Sequence, residues 1–313
     1  MLPSRRTAFS LVELLVVIAI LAVLAGLTMS GVSYVRVRQQ TRTTEQIVFK
    51  LQEAVDQLVK ATVEQVRKER LSRSSVFTSL LPYCDNDEDR AEALLLYCRL
   101  RHNFPQSFDE ARSPLVIYDA RSGLVLINWP PHTAYNDLPA GNAPEPELEA
   151  AVLLRKAVSR LGIGGANFAS DDLMGTAQAE LPWPHGGTAP VFIDAWPPHN
   201  TAGNPRAITF RRFFTGHPDD HPDDHGELHK ELQKPPFVNP KSGFHDPFDP
   251  LGKLADPHWS RHSDAQNRLG VSFNRRNRVI TVQSAGPDRE YNTADDIWGY
   301  RLRQLGSRGN RNP

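Results

Sequence analysis

The chain has 313 residues, room for one large domain or two small ones, and 40% are hydrophobic, enough for a core beside a membrane segment. Lys plus Arg equals Asp plus Glu at 36 each, which excludes a global field drawing the whole chain to nucleic acid or anionic lipid and leaves only local patches. Proline is uneven: only Pro3 precedes Pro82, so the front is open to a long unbroken helix and the remainder reads as loop-rich.

From Phe9 to Met29 only Ser10, Glu13 and Thr28 are polar. At about 1.5 Å per residue this run gives a helix of about 31 Å, the thickness of a bilayer's hydrocarbon core. A cleavable secretory signal has a shorter apolar region followed by a small-residue cleavage site, so residues 9–29 read as a transmembrane segment. Arg5 and Arg6 precede it and Arg36, Arg38 and Arg42 follow it, so flanking charge leaves the orientation open. Glu13 has two readings at this point. It can sit in the first turns, favouring the positive helix end and reaching the interface, or it can be the counter-charge of a cation within the apolar layer.

The helical pattern continues past the apolar run. Ile47, Leu51, Val55, Leu58, Thr62 and Val66 recur at spacings of three and four, Val48, Val59 and Val63 widen the stripe, and Lys50, Gln52, Glu53, Asp56 and Lys60 form the opposite face. One helix from about Phe9 to about Arg70, ~90 Å long, is expected, apolar all round over 9–29 and amphipathic over 30–70. Gly26 and Gly31 bend such a rod without ending it.

The stretch RRTAFSLVELLVVIAI resembles the class III signal of type IV prepilins and type II secretion pseudopilins: a basic leader, a Phe after the cut, and a Glu five residues into the mature chain. The resemblance implies that residues 1–8 are a cytoplasmic leader, removed between Ala8 and Phe9 by a prepilin peptidase that also methylates the new amino group. Ala8 departs from the usual Gly before the cut. It further implies an inner-membrane, single-pass protein with its N-terminus in the cytoplasm and residues 71–313 periplasmic. Glu13 would then pair with the Phe9 amine of a neighbouring subunit as helices pack into an envelope-spanning filament, a contact that sets register.

Residues 71–313 read as an α+β domain. DEDRAEALLLYCRL predicts a helix capped by Asp85 or Asn86. PLVIYDARSGLVLINW predicts strand, turn and strand, with Gly123 in the turn, and PEPELEAAVLLRKAVSRLGIGG a helix stopped by Gly162. PVFIDAW, AITFRRFF, VSFN, RVITVQ and IWGYRLR are strand-like, which suits a long helix packed on an antiparallel sheet. Cys84 and Cys98 permit one disulfide if this part is exported; two buried thiols are the equal alternative.

Catalytic motifs are weak. Gly162 to Gly165 lacks the Lys-Ser/Thr ending of a phosphate loop and follows a helix, and no Ser, Cys or His stands in a nucleophile motif, so no enzymatic activity is expected. The repeat HPDDHPDDHG sets His217, His221 and His225 among four aspartates, but Pro218 and Pro222 deny it a helical face, and it reads as a solvated loop rather than a metal site.

In SAGPDREYNTADDIWGY, Asp288, Asp295 and Asp296 converge across an irregular turn, which suits either a hard cation with oxygen ligands or a solvated acidic turn. The spacing is not that of an EF-hand. This stretch resembles the calcium loop of the major type II secretion pseudopilin, which implies calcium held in loop 284–297 by Asp288, Asp295 and Asp296, with Arg289 in place of a usual Gly. FIDAW and GNPRAITF are similar to another strand of that family, interrupted here between Trp196 and Gly203, and HDPFDPLGKL is a poorer second version. The middle, about 100–270, resembles nothing in the family.

These features lead to one expectation: a pilin-like α+β subunit that builds a type II secretion pseudopilus or related filament for protein export. Its implied partners are copies of itself, other pseudopilins, the prepilin peptidase/methyltransferase, the inner-membrane assembly platform and membrane lipid, with no nucleic acid. A type IV pilus or DNA-uptake pilin is the alternative, for which FRRFF and FNRRNR are the basic-aromatic candidates. A membrane-tethered metal-dependent hydrolase using the His/Asp repeat is the third.

Overall fold

The computed structural model of the chain describes residues 11–119, 122–141, 143, 145–163, 178–183, 186–197, 206–212, 253–254, 259, 280–293 and 295–299, without the side chains of residues 13, 25 and 27–33. Ala8, Phe9, the His217–His225 repeat, VSFN, FNRRNR and Gly164 to Gly165 lie outside the described residues.

The proline-free front forms a single helix, α1, Leu11–Leu71. Along its second half the stripe behaves as its spacing requires. Val48, Leu51, Val55, Leu58, Thr62 and Val66 are buried, while Ile47, Val59 and Val63 are half-buried at the margin. Leu71 ends the helix and α2, Ser75–Leu80, turns the chain back with Ser74 as its N-cap. α3, Glu88–Asn103, then packs along α1. Its N-cap is Asp87, not Asp85 or Asn86: those two take left-handed backbone angles that close the preceding turn, and the Asp87 carboxylate accepts the Asp89 and Arg90 N–H groups. α4, Phe108–Arg112, is capped by Ser107.

The hairpin is present as β1, Leu115–Tyr118, and β2, Val125–Trp129, with Gly123 at φ +68 in the turn. α5, Pro146–Arg160, follows with Pro146 in its first turn, and Gly162 beyond it has φ +54. β3, Gln178–Pro182, which no sequence pattern announced, pairs antiparallel with β4, Thr188–Phe192. β5, Thr209–Arg211, β6, Thr281–Ser284, and β7, Ile297–Trp298, make a three-stranded antiparallel sheet in that order. The fold is therefore α+β, with a long N-terminal helix and small antiparallel sheets. Of the described strands, β6 and β7 lie against α1, and the other main neighbour of the long helix is α3.

Gln52 departs from the expected opposite face: it is buried. β7 spans two residues and pairs only with Gln283 and Ser284 of β6, so the start of β6 is open on that side. The Gln52 amide fills the opening. Its Nε2 donates to the Ile280 carbonyl at 3.0 Å and its Oε1 accepts the Val282 N–H at 2.9 Å. Gly299 follows β7 at this spot, and a Cβ there would stand 2.4 Å from Gln52 Oε1. A side chain placed among polar residues by periodicity thus acts as a strand substitute.

Gln52→Leu leaves the Val282 N–H and Ile280 carbonyl buried and unpaired, which costs about 1–3 kcal/mol per group. Thermal unfolding of the full chain is expected to shift down clearly for Gln52→Leu and to stay within about 0.5 kcal/mol of the parent for Glu53→Leu on the exposed neighbour.

Candidate functional site

Two regions carry the features with functional content: the N-terminal half of α1 and the loop joining β6 to β7. In the first, an unbroken helix carries apolar side chains that are largely exposed among the described residues. Leu11, Val12, Leu14, Leu15, Val16, Val17, Ile18, Ile20, Leu21, Val23 and Leu24 are between 46% and 79% exposed. An apolar stripe on a soluble helix is covered on one side by its own domain; here the described side chains are exposed on every side of the helix. Glu13 lies in the first turn of this helix. Among the described residues no helix is long and apolar enough to cross a membrane. The described apolar side chains of this half stop at Leu24, with those of residues 27–33 outside the description.

The second region is held by side chains from three directions. Arg206 donates from Nε to the Arg289 carbonyl at 2.8 Å and lies over the Tyr291 ring, whose hydroxyl donates to the Ala207 carbonyl. Arg211, almost fully buried, donates to Gln283 Oε1 at 3.0 Å and to Asn292 Oδ1 at 2.6 Å. Gln283 Nε2 in turn donates to Asp296 Oδ2 at 2.5 Å, which also accepts the Asn292 N–H at 2.8 Å. Gly286, at φ +67, is required by contact as well as by angle: a Cβ there would meet the Asp295 carbonyl oxygen at 2.3 Å. Arg289 adopts φ +65, the left-handed conformation that glycine favours, so Arg stands in a glycine-type position.

The three aspartates occupy different settings. The carboxyl groups of Asp288 and Asp295 lie within hydrogen-bonding reach of one another, and Asp295 accepts the Asp288 N–H at 3.0 Å and the Thr293 hydroxyl at 2.8 Å. Burial acts to raise Asp295, but those hydrogen bonds outweigh it and hold the carboxyl below its ordinary value. Asp288 is raised, by burial first and by the neighbouring Asp295. Asp296 faces inward, and burial, with the charges of Asp288 and Asp295 added, pushes it up to about 7. Among the described residues no set of three or more His, Cys, Asp or Glu is placed to hold one metal ion. Asp296 Oδ2 is committed to Gln283 and Asn292, so the donor set facing outward is Asp288, Asp295 and the Thr293 hydroxyl.

Behind the loop, Asp194 is buried beside β6, where it accepts the Ser284 hydroxyl at 3.2 Å and the Trp196 N–H at 3.1 Å. Burial pushes it up to about 6. The sequence assigned no role to Asp194, Arg206, Gln283 or Asn292, and marked Arg211 only within FRRFF as a basic-aromatic candidate. A polar residue alternating with Val282 in β6, and arginines just ahead of and within β5, are faint signals at best, because their partners are distant in sequence.

Two other expectations meet the structure here. Cys84 and Cys98 are both free and buried, in the turn before α3 and within α3, and burial pushes each thiol up to about 12. The disulfide is thus not formed, and the thiols are packed as small apolar groups. Arg211 and Arg212 of FRRFF are engaged internally: Arg212 donates to the Arg101 and Phe104 carbonyls and pairs with Glu110 at 2.9 Å. These two guanidiniums clamp elements together and are not an open nucleic-acid surface.

The long helix is thus apolar and largely exposed over its described N-terminal half and packed on a small-sheet α+β body at its other end. Residues 3–29 match the prokaryotic N-terminal methylation motif, which fits a type IV pilin-like or pseudopilin signal. No curated protein matches the chain, and no solved structure does.

Asp194 and Asp296 set a pH dependence. Both carboxyls have folded values above the ordinary value near 3.9, so the folded state binds protons more tightly than the unfolded chain. The stabilisation is present below about pH 4 and is lost as pH rises through about 6 for Asp194 and about 7 for Asp296. In chelator, the melting temperature of the full chain is expected to fall between pH 5 and pH 8. Asp194→Asn should remove the lower part of that slope, with an effect on the order of 2–3 kcal/mol.

Proposed function

We propose that the chain is a pseudopilin-like, non-enzymatic structural subunit, anchored in the inner membrane by the first half of α1 and assembled into a type II secretion pseudopilus or related filament for protein export. One observation carries this reading: the methylation motif at residues 3–29 overlaps the start of a long helix whose described apolar side chains in that half are largely exposed. Burying them is worth about 25 cal/mol per Å2, so a bilayer or the same helix of a second copy is the environment in which this surface is stable. In the bilayer, residues 9–29 span the hydrocarbon core with the leader 1–8 in the cytoplasm and the globular part periplasmic. In the filament, Glu13 neutralises the Phe9 amine of the adjacent copy. The partners follow: a prepilin peptidase/methyltransferase, copies of this chain, other pseudopilins and an assembly platform.

Membrane-extracted protein is expected to begin at a methylated Phe9 by N-terminal mass analysis. Glu13→Ala should leave insertion intact or improved, because an intramembrane charge is removed, while filaments fail and monomer accumulates. A chain that keeps residues 1–8, or unimpaired filaments in Glu13→Ala, would sink this reading.

Calcium belongs to the same reading. Asp288 and Asp295, with the Thr293 hydroxyl and carbonyls of the irregular loop, are oxygen donors of the kind a calcium ion takes, and the ion would offset the burial and the neighbouring Asp295 charge that together raise Asp288. Asp296 would support the loop from inside through Gln283 and Asn292. Calcium at 100-fold over its dissociation constant stabilises the folded state by about 2.7 kcal/mol. Addition after chelation is expected to raise the melting temperature more than magnesium does, and Asp288→Ala with Asp295→Ala to abolish the response.

A further inference from the structure

Between the bare apolar half of α1 and the point where the globular part begins to cover it lies a short neck. Thr44 is the first buried residue of the helix, and it accepts the Ala195 N–H at 3.1 Å. Residues 34–39, 42 and 43, which include Tyr34, Arg36, Arg38 and Arg42, are exposed. None of the three guanidiniums forms an ion pair among the described residues, unlike Arg70, Arg99 and Arg206 further along, which all do. No acidic residue occurs from residue 14 to residue 44. Arg38 lies over the Tyr34 ring, with its Cζ 4.3 Å from the centroid. The neck is a concentrated positive charge, with the first acidic residue, the half-buried Glu45, only where the globular part begins, in a chain whose net charge is zero.

Its geometry says what it faces. At 100° per residue, Tyr34, Arg38 and Arg42 follow one another down one side of α1 at intervals of four, while Arg36 projects about 200° away from Arg38. Cations on opposite sides of one helix suit a layer that surrounds it better than a protein surface that approaches from one side. Height agrees with this. From Leu11 to Tyr34 the helix rises about 35 Å, so when the apolar half fills the hydrocarbon core, Tyr34 stands at the next headgroup level; Arg36 and Arg38, about 3 and 6 Å further out, reach back to it with their long side chains, and Arg42, about 12 Å out, adds its charge from just beyond. A Tyr at that level, with its ring towards the hydrocarbon and its hydroxyl towards water, is a usual interface anchor.

We propose that Tyr34, Arg36, Arg38 and Arg42 form a collar that binds anionic phospholipid headgroups of the leaflet beneath the globular part. This rests on the anchored reading given above. The collar holds the subunit at a fixed depth, since moving it into the core would desolvate three guanidiniums and moving it outward would expose the apolar half. Its charge acts against the usual bias that places Lys and Arg on the cytoplasmic side, which gives the arginines a cost that headgroup binding offsets.

The test uses the full chain reconstituted in phosphatidylcholine vesicles containing phosphatidylglycerol, with spin-labelled phosphatidylglycerol or phosphatidylcholine as the probe. The ratio of motionally restricted lipid reports headgroup preference. A preference of about twofold to fivefold for phosphatidylglycerol is expected at low salt, shrinking in high salt. Arg36→Gln with Arg38→Gln and Arg42→Gln should bring the ratio to that of the Arg5 and Arg6 leader alone, whereas the corresponding three Lys substitutions should keep most of it. An inserted parent without preference overturns the collar, as does a preference that the Gln variant retains in full. Filament failure in the Gln variant without any lipid preference in the parent would assign the collar to acidic groups of a neighbouring copy. If alkaline carbonate strips the parent from the vesicles, the anchored reading fails and the collar with it.

Discussion

A single amide makes the long helix and the C-terminal loop one mechanical unit. Gln52 takes the place that a longer β7 would occupy and pairs with the Ile280 carbonyl and the Val282 N–H. β6 is thereby flanked on both sides, by β5 along residues 281–283 and by β7 and Gln52 in succession. The polar backbone of a strand cannot be buried against a helix without such a partner, because each orphaned group costs a kcal/mol or more. The register of helix on sheet follows: Gly299 admits the amide at one height only. The β6–β7 loop, with its aspartates, is built directly on that register.

Above and below this point the helix is tied by other means. Thr44 holds the Ala195 N–H near the neck. At mid-height the Thr62 hydroxyl accepts from Asn103 Nδ2, and the Asn103 carbonyl accepts the Tyr135 hydroxyl, so a polar chain crosses from α1 through α3 to the loop beyond β2. At the far end Arg70 pairs with Asp89 and Glu92, and Arg99 reaches Glu69 at 2.6 Å. The apolar stripe between them supplies most of the free energy, and the polar ties choose one alignment among the many that a smooth stripe allows.

What could be read from the sequence was what depends on local pattern. The long helix rests on residue type and a spacing of three and four, and the hairpin around Gly123 rests on two strand-like runs about a turn. The three aspartates of the C-terminal loop were legible because they lie within nine positions of each other. The misses share one cause, dependence on a partner far along the chain. Gln52 looked like one more polar residue on the outer face, since nothing near it tells of Val282. Asp194 is buried through Ser284, and Arg211 through Asn292. β3, QAELP, has weak strand character and is held by its pairing with β4. The cap of α3 was misplaced by a turn geometry, two successive left-handed residues, that sequence alone does not announce.

The middle of the chain, which resembles nothing in the family suggested by its ends, is not an appended body. α3 is buried nearly all round, from Arg90 to Asn103, which marks a helix at the centre of a core and not on its surface. It is flanked by α1 and by α2 with the turn that follows it, and it belongs to one continuous cluster with middle-region residues that include Phe108, Ile127, Leu153 and Val191. Charged residues lock the enclosure: Glu149 accepts the Phe108 and Ala143 N–H groups, and Arg212 ties β5 to the end of α3 and to α4. All of this material lies on the inward side of α1. The outward side keeps Lys50, Glu53, Gln57, Lys60, Glu64 and Arg67 exposed. The described part of the added length therefore packs on the inward side of the long helix, and these outer residues of its second half stay exposed.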